Sequence, residues 1–305
     1  MRTIQIGQSA LHSSRLAYGC WRLAGTEDPS ATQPAGREVG KQAVLAAFEA
    51  GYTLFDHADI YCLGVSEEIF GEVLRDTPGM RDQIVIASKC GIRLEGHPEG
   101  APYRYDFSAQ YIVLSCEQSL RRLRVETIDI YQLHRPDWLA DWSEVADAFT
   151  RLREQGKVRE FGVSNFRPPQ VAALQKACAR PLIVNQVEIS LLQLGCFEDG
   201  TLDQCQSEKI APLAWSPLGG GQLIVSQEES GLRVATVMDR VAQERGVSRA
   251  AVALAWLLKH PSGIVPIVGS TNPERIRECV KAADVELSRE EWYSLLEAAR
   301  GARLP

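Results

Sequence analysis

The chain has 305 residues, 45% of them hydrophobic and 24% charged, with a net charge of −6. That composition suits a soluble protein with apolar material for a large core, and no Lys/Arg run interleaved with aromatics appears, so nucleic acid is not an expected partner. The longest apolar run, Ala250 to Leu258, has nine residues, well short of the ~20 that cross a bilayer, so no membrane helix is expected.

Residues 1 to 14 are β-like and then turn-rich at Gly7-Gln8-Ser9, and Leu16 to Trp21 makes a first strand. From Arg37 the residues Ala43, Val44, Ala47, Phe48 and Ala50 keep near-helical spacing, and Gly51 ends the segment as a glycine just past a helix would. Tyr52 to Phe55 is a buried-strand pattern, and Asp56, Asp59 and Tyr61 follow where strand gives way to loop. Ser66 is the expected cap of the next helix, with Glu67 and Glu68 in its first turn. Ile84 to Ser88 is a strand ending in Lys89, and the Gly/Pro/Tyr-rich stretch 91–107 offers His97, Tyr103 and Tyr105 as substrate contacts.

Ser108 caps a helix with Ile112, Cys116, Leu120 and Leu123 on one face, and Val145, Ala148, Phe149 and Leu152 repeat the pattern before Gly156. Between them the strand Ile128 to Leu133 ends in His134, and Arg135-Pro136-Asp137 stops it. Further strands are expected over Arg159 to Phe166, Leu182 to Ile189, Leu213 to Leu218 and Ile264 to Val268, with Pro273 opening a helix and a final helix over 288–299. Strand and helix signals alternate without a linker, which points to one domain, 1–305. The eight cysteines form no CxxC pair and read as buried or idle thiols, and MRTIQIGQSA lacks an apolar export core, so a reducing cytoplasm is the expected compartment.

In a barrel of parallel strands, side chains just past the C-terminal strand ends face one mouth, so Asp56 and Tyr61 can converge there. A phenol serves as proton donor near neutral pH if a cation pulls its pKa, ~10 unperturbed, downward. Lys89 is the cation at a nearby strand end, and His134 stands at the next.

With these motifs the chain resembles the aldo-keto reductase family, whose tetrad is Asp, Tyr, Lys and His on successive barrel strands; the matches are Asp56, Tyr61, Lys89 and His134. The resemblance runs from about Arg15 to Leu296 and implies a (β/α)8 TIM barrel with an N-terminal β-hairpin over its bottom and an extra C-terminal helix. It also implies NADPH. Gly19-Cys20-Trp21 would turn beside the nicotinamide, with Trp21 either pocket wall or packing. Ser164, Asn165 and Gln186 would bond the carboxamide, since amides supply both donor and acceptor. Trp215 would stack on the nicotinamide ring, Ser216, Pro217 and Leu218 would follow it in the cofactor site, and Gly219, Gly220 and Gly221 would bring bare backbone to the pyrophosphate. At the other end Gly269, Ser270, Thr271, Arg275, Glu278 and Cys279 would surround the adenosine, Ser270 and Arg275 holding its 2′-phosphate at a helix start.

Three residues depart from the family pattern: His57 and Cys62 stand where Thr and Gly are usual, and Cys279 replaces the adenine-contacting Asn. The long C-terminal loop of many relatives is missing, which implies an open, permissive site. The expected activity is reduction of aldehyde and ketone carbonyls to alcohols by hydride transfer from NADPH, Tyr61 donating the proton, in a monomer acting on a small carbonyl substrate. Two other readings stand beside it. One is a non-catalytic subunit that senses bound nucleotide; the other is a metal-dependent barrel hydrolase using His57, Asp59 and His134, although no H-x-H or HExxH spacing occurs. No G-x-G-x-x-G follows a strand, so a Rossmann sheet is not expected.

Overall fold

Eight strands pair in parallel and close on themselves: β1 (Ala17–Gly19), β2 (Leu54–Asp56), β3 (Val85–Cys90), β4 (Ile128–Leu133), β5 (Val158–Ser164), β6 (Val184–Glu188), β7 (Ala211–Trp215) and β8 (Val265–Val268). β8 returns to pair with β1, Ile267 opposite Ala17 and Val268 opposite Tyr18, so the barrel has no bare edge. The computed structural model describes residues 1–226 and 228–304, and its architecture is the (β/α)8 barrel that the sequence predicts.

The period of two along a strand explains where polar groups gather. Ala17, Leu54, Val85, Ala87, Ile130, Leu213, Val265 and Ile267 form one buried apolar cluster filling the barrel. Two residues beyond Leu54, Ala87 and Ile130 come Asp56, Lys89 and Gln132, on the same inward faces but nearer the C-terminal ends. The filling therefore turns from apolar to polar toward one mouth. At the other end a hairpin of Thr3–Gln5 against His12–Ser14 closes the floor, and Ile6 of its turn joins the apolar filling. Gly7 in that turn has φ +55°, and a Cβ there would lie 2.4 Å from the Ile183 carbonyl oxygen, so only glycine lets the hairpin seat so closely.

Around the strands lie α1 (Pro34–Glu49), α2 (Val65–Asp76), α3 (Ala109–Leu123), α4 (Trp142–Glu154), α5 (Pro168–Ala177), α6 (Thr201–Glu208), α7 (Glu229–Arg245), α8 (Arg249–Leu258), α9 (Pro273–Val280) and α10 (Arg289–Arg300). Gly51 ends α1 as expected, at φ +89° with its N–H 3.0 Å from the Phe48 carbonyl. Ser108 caps α3, accepting the Tyr111 N–H. α10 is the expected extra helix, with a Ser288/Glu291 capping box. It packs against α7, which the sequence reading passed over although Val234, Met238 and Val241 recur at helical spacing and are buried. α8 is covered on nearly every side, and its Trp256 stacks on Trp292 of α10 at 5.1 Å, each indole N–H donating to the other residue's carbonyl.

The expected cap at Ser66 is corrected. Cys62, Leu63 and Gly64 all take left-handed backbone, φ 48°, 49° and 94°, which turns the chain early, so α2 already starts at Val65. Ser66 lies inside the first turn, buried, its hydroxyl without a partner. Glu67 does more than complement the helix dipole: fully buried, it pairs with Arg122 of α3 at 2.7 Å and accepts the Ser88 hydroxyl of β3 at 2.6 Å, tying three elements together. Among the described residues no helix is long and apolar enough to cross a membrane. All eight cysteines are free, seven of them buried.

Candidate active site

Lys89 is fully buried at the polar end of the barrel filling, and its ammonium has three oxygen partners: Asp56 Oδ2 at 2.9 Å, the His57 carbonyl at 2.7 Å and the Tyr61 hydroxyl at 3.0 Å. Three donors meet three acceptors, so the charge has a fixed position. Asp56 uses its second oxygen to accept the Gln186 side-chain N–H at 2.7 Å. Burial works against the charge on Lys89, but Asp56 and then Tyr61 outweigh it and hold the ammonium above its usual range.

The phenol behaves differently from the sequence expectation. Withdrawal of the Tyr61 hydroxyl from water pushes its pKa up to about 12, and Lys89, which pulls the other way, does not overcome it. Tyr61 thus keeps its proton through the neutral range. His134 faces it edge-on, ring centres 6.1 Å apart at 79°. Its backbone is clamped from both sides, the N–H donating to the Cys90 carbonyl at 2.8 Å and the carbonyl accepting from Asn165 Nδ2 at 3.1 Å. Burial, with Lys89 and Arg135 adding to it, holds the imidazole well below its ordinary pKa, so the ring is neutral; Nδ1 is buried without a partner.

Asp56, Tyr61 and His134 open onto a cavity of about 670 Å³. Its wall also includes Gly19, Trp21, Ser164, Asn165, Gln186, Trp215, Ser216, Pro217, Leu218, Gly220, Gly269, Ser270, Arg275, Glu278 and Cys279, so most residues singled out in the sequence meet in one place. Lys89 sits behind it. Cys20, Gly219 and Thr271 do not reach the wall: the Cys20 thiol is buried and turned back to the Tyr18 carbonyl, and Gly219 backs onto Leu192. His97, Tyr103 and Tyr105 are absent from the wall too, because their segment folds on itself, Ile92–Arg93 pairing with Arg104–Tyr105 and the two tyrosine rings meeting edge to face. His57 is fully buried against Phe70, its pKa lowered to about 3 by burial and then by Lys89. Its contribution to the site is the carbonyl that holds Lys89.

The amides expected for a carboxamide are largely engaged within the protein. Asn165 Oδ1 accepts the Trp215 indole N–H at 3.0 Å, its Nδ2 donates to Ser164 Oγ at 2.8 Å as well as to His134, and Ser164 Oγ donates to the Gln186 carbonyl at 2.9 Å. This network fixes the Trp215 indole; Gln186 keeps its side-chain oxygen free of it. Asn165 and Ser216 both hold left-handed backbone, φ 62° and 49°, strain of the kind that gathers at functional sites. At the other end Asn272 caps α9 through the N–H groups of Glu274 and Arg275, and among the described residues the Arg275 side chain makes no ion pair.

The family model described as "Aldo/keto reductase family" matches residues 15–300. The chain belongs to the aldo/keto reductase family. It is 43% identical to a 6-dehydroglucose reductase of Novosphingobium aromaticivorans, over 99% of this chain and 96% of that one. It is 41% identical to a protein of the same name from Agrobacterium fabrum, over 95% and 96%. The solved glycerol dehydrogenase of Gluconobacter oxydans superposes with a TM-score of 0.87 at 28% identity, covering 99% of this chain and 97% of that one.

This aldo/keto reductase, an oxidoreductase by family, has cavity residues that the sequence reading missed, among them Arg22, Arg135, Ser248 and Arg249. Arg22 and Arg135 directly follow Trp21 and His134, so the rule that strand-end residues face the mouth could have found them. Ser248 caps α8 as Asn272 caps α9, and each first turn carries an arginine, Arg249 at the first position of α8 and Arg275 at the third of α9. Among the described residues no group of three or more His, Cys, Asp or Glu side chains is arranged to hold a metal ion.

Proposed function

We propose that this enzyme reduces the carbonyl of small aldehydes and ketones with NADPH. The observation that carries the reading is the buried Lys89 ammonium, held behind the cavity wall between Asp56 and the Tyr61 hydroxyl, which both face the cavity. The remaining wall fits the cofactor: the free Gln186 side-chain oxygen suits a carboxamide, the glycines 220 and 221 offer bare backbone, and the start of α9 with the unpaired Arg275 suits a phosphate dianion. Bound there, NADPH supplies the hydride that reduces the carbonyl carbon.

The chain's own groups do the rest. Tyr61 and the neutral His134 donate hydrogen bonds to the carbonyl oxygen and fix its position. As negative charge grows on that oxygen, Tyr61 gives up its proton, and Lys89 at 3.0 Å stabilises the phenolate left behind. Asp56 keeps the lysine charged, and Gln186 holds Asp56 in place. The names of the two relatives favour a sugar-derived aldehyde as the first substrate to try.

The test follows loss of NADPH absorbance with aldehydes and ketones. Tyr61→Phe is expected to lower turnover by about 10²–10⁴-fold and to leave NADPH binding intact. Arg275→Ala should weaken NADPH binding roughly ten- to 150-fold, and barely change NADH binding, because a charge-assisted bond to the 2′-phosphate is lost. Binding is read from quenching of tryptophan fluorescence. A Tyr61→Phe enzyme that keeps a tenth of wild-type turnover removes Tyr61 as donor, and equal effects of Arg275→Ala on both cofactors remove the NADPH assignment.

A further inference from the structure

The chain carries a net charge of −6, yet the cavity wall is rich in arginine: Arg22, Arg135, Arg249 and Arg275 stand against two carboxylates, Asp56 and Glu278. Both carboxylates already have a lysine, Asp56 in Lys89 and Glu278 in Lys281 at 2.7 Å. Arg249 is occupied by Asp239 at 2.6 Å, and Arg275 is accounted for by the phosphate reading above. That leaves Arg135 and Arg22, neither of which forms an ion pair among the described residues.

Arg135 follows His134 directly and is half-buried, its guanidinium carbon 5.7 Å from the centre of the Trp215 indole. Arg22, which is exposed, follows Trp21 and lies over the Trp21 ring at 5.4 Å. Glu188 is near enough to feel Arg135: burial raises its carboxyl pKa and Arg135 pulls it back, but the two do not pair. A guanidinium partly withdrawn from water without a carboxylate is penalised, and an aromatic face compensates only in part. The group is planar and matches an oxyanion through two parallel N–H bonds.

We propose that Arg135, assisted by Arg22, forms an oxyanion subsite beside the tetrad, and that the preferred substrate bears a carboxylate or phosphate in addition to the carbonyl. The proposal rests on the carbonyl-reductase reading for its reaction, and on unpaired charge for its substrate class. The competing role for Arg135 is to prop the Trp215 indole, which would serve every substrate alike.

Matched pairs separate these roles: succinate semialdehyde against butanal, and glyceraldehyde 3-phosphate against glyceraldehyde. Arg135→Gln is expected to lower kcat/KM about ten- to hundredfold for the anionic member of each pair, mainly through KM, and less than about threefold for the neutral one. Arg135→Lys should recover part of the loss. Loss on only one pair assigns the subsite to carboxylate or to phosphate. Equal loss on charged and neutral members, or none on the charged ones, overturns the subsite and leaves the reductase reading standing. A second measurement needs no turnover: succinate and glycerol 3-phosphate should quench tryptophan fluorescence in the wild type, less so in Arg135→Gln, with glycerol inert in both. If no aldehyde is reduced but this Arg135-dependent quenching holds, the reductase reading falls and the subsite stands; if the quenching is the same in both proteins, the subsite falls.

Discussion

Asp56 ends β2 and Asp59 follows three residues later in the turn beyond it, and the two face opposite surroundings. Asp56 points into the barrel, where a lysine and a glutamine amide meet its two oxygens. Asp59 points outward under α3, where Ser115 donates to it at 2.7 Å and Tyr111 at 3.4 Å, and its Oδ1 has no partner. Burial drives the Asp59 carboxyl up to about 7; the Ser115 bond and Arg122 oppose this, and Glu67 adds to it. The difference teaches that the partners of a buried carboxylate decide its role: Asp56 is tied to a lysine and an amide, whereas Asp59, with no cation paired to it, is raised by burial. The inner site gathers around the Lys89 ammonium, and the outer one holds the loop that carries Tyr61, the Asp59 backbone N–H bonding the Lys89 carbonyl at 3.1 Å.

Breaking the inner site should have the largest effect. Lys89→Met leaves Asp56 buried without its cation, so turnover should fall by about 10²–10⁴-fold and stability by about 3–5 kcal/mol, measured by NADPH oxidation and urea unfolding. Unchanged stability would mean that Gln186 alone satisfies Asp56.

Asp59→Asn probes the outer site, with activity at neutral pH staying close to wild type. The folded carboxyl titrates near 7, against 3.8 for an ordinary aspartate, so between these values the native state holds a proton that the unfolded chain has released. Wild-type stability must then fall, relative to Asp59→Asn, as pH rises through that window, by up to about 1.4 kcal/mol per pH unit, and level off on either side. Buried His57 and His134 act in the opposite sense below the ordinary histidine range, but they are common to both proteins and cancel. A difference in unfolding midpoint that stays constant from pH 4 to pH 8 would remove the perturbed carboxyl.

The smallest effects concern the helices that frame the outer site. Ser108→Ala at the start of α3 should cost about 1 kcal/mol, the usual worth of a cap. Ser66→Ala should stay within about 0.5 kcal/mol, because that hydroxyl bonds nothing; a cap-sized loss at Ser66 would restore it as the start of α2.

The fold was legible because each element announces itself locally. Helical spacing before Gly51, the Ser108 cap and the apolar strand runs need only near neighbours, and closure into a parallel barrel is what the family resemblance added. Asp56, Lys89 and His134 were legible at strand ends, and the family resemblance joined them to Tyr61, five residues beyond Asp56. Where the reading failed, backbone conformation or a partner outside the element decided the outcome. Ser66 lost its role to a left-handed turn two to four residues earlier, and Glu67 found Arg122. The sequence marked His97, Tyr103 and Tyr105 as substrate contacts, but their loop pairs with itself and leaves the cavity wall.

The sequence by itself determined which residues could meet at the mouth, because strand periodicity fixes the face and the strand end fixes the height. It could not determine the protonation of what it brought together. Tyr61 lies beside the lysine expected to acidify it, yet burial raises it to about 12. Asp56 and Asp59 stand three residues apart yet differ in everything their partners decide. Desolvation and pairing depend on how many groups from other strands and helices close around a side chain, and that count exists only once the barrel has formed.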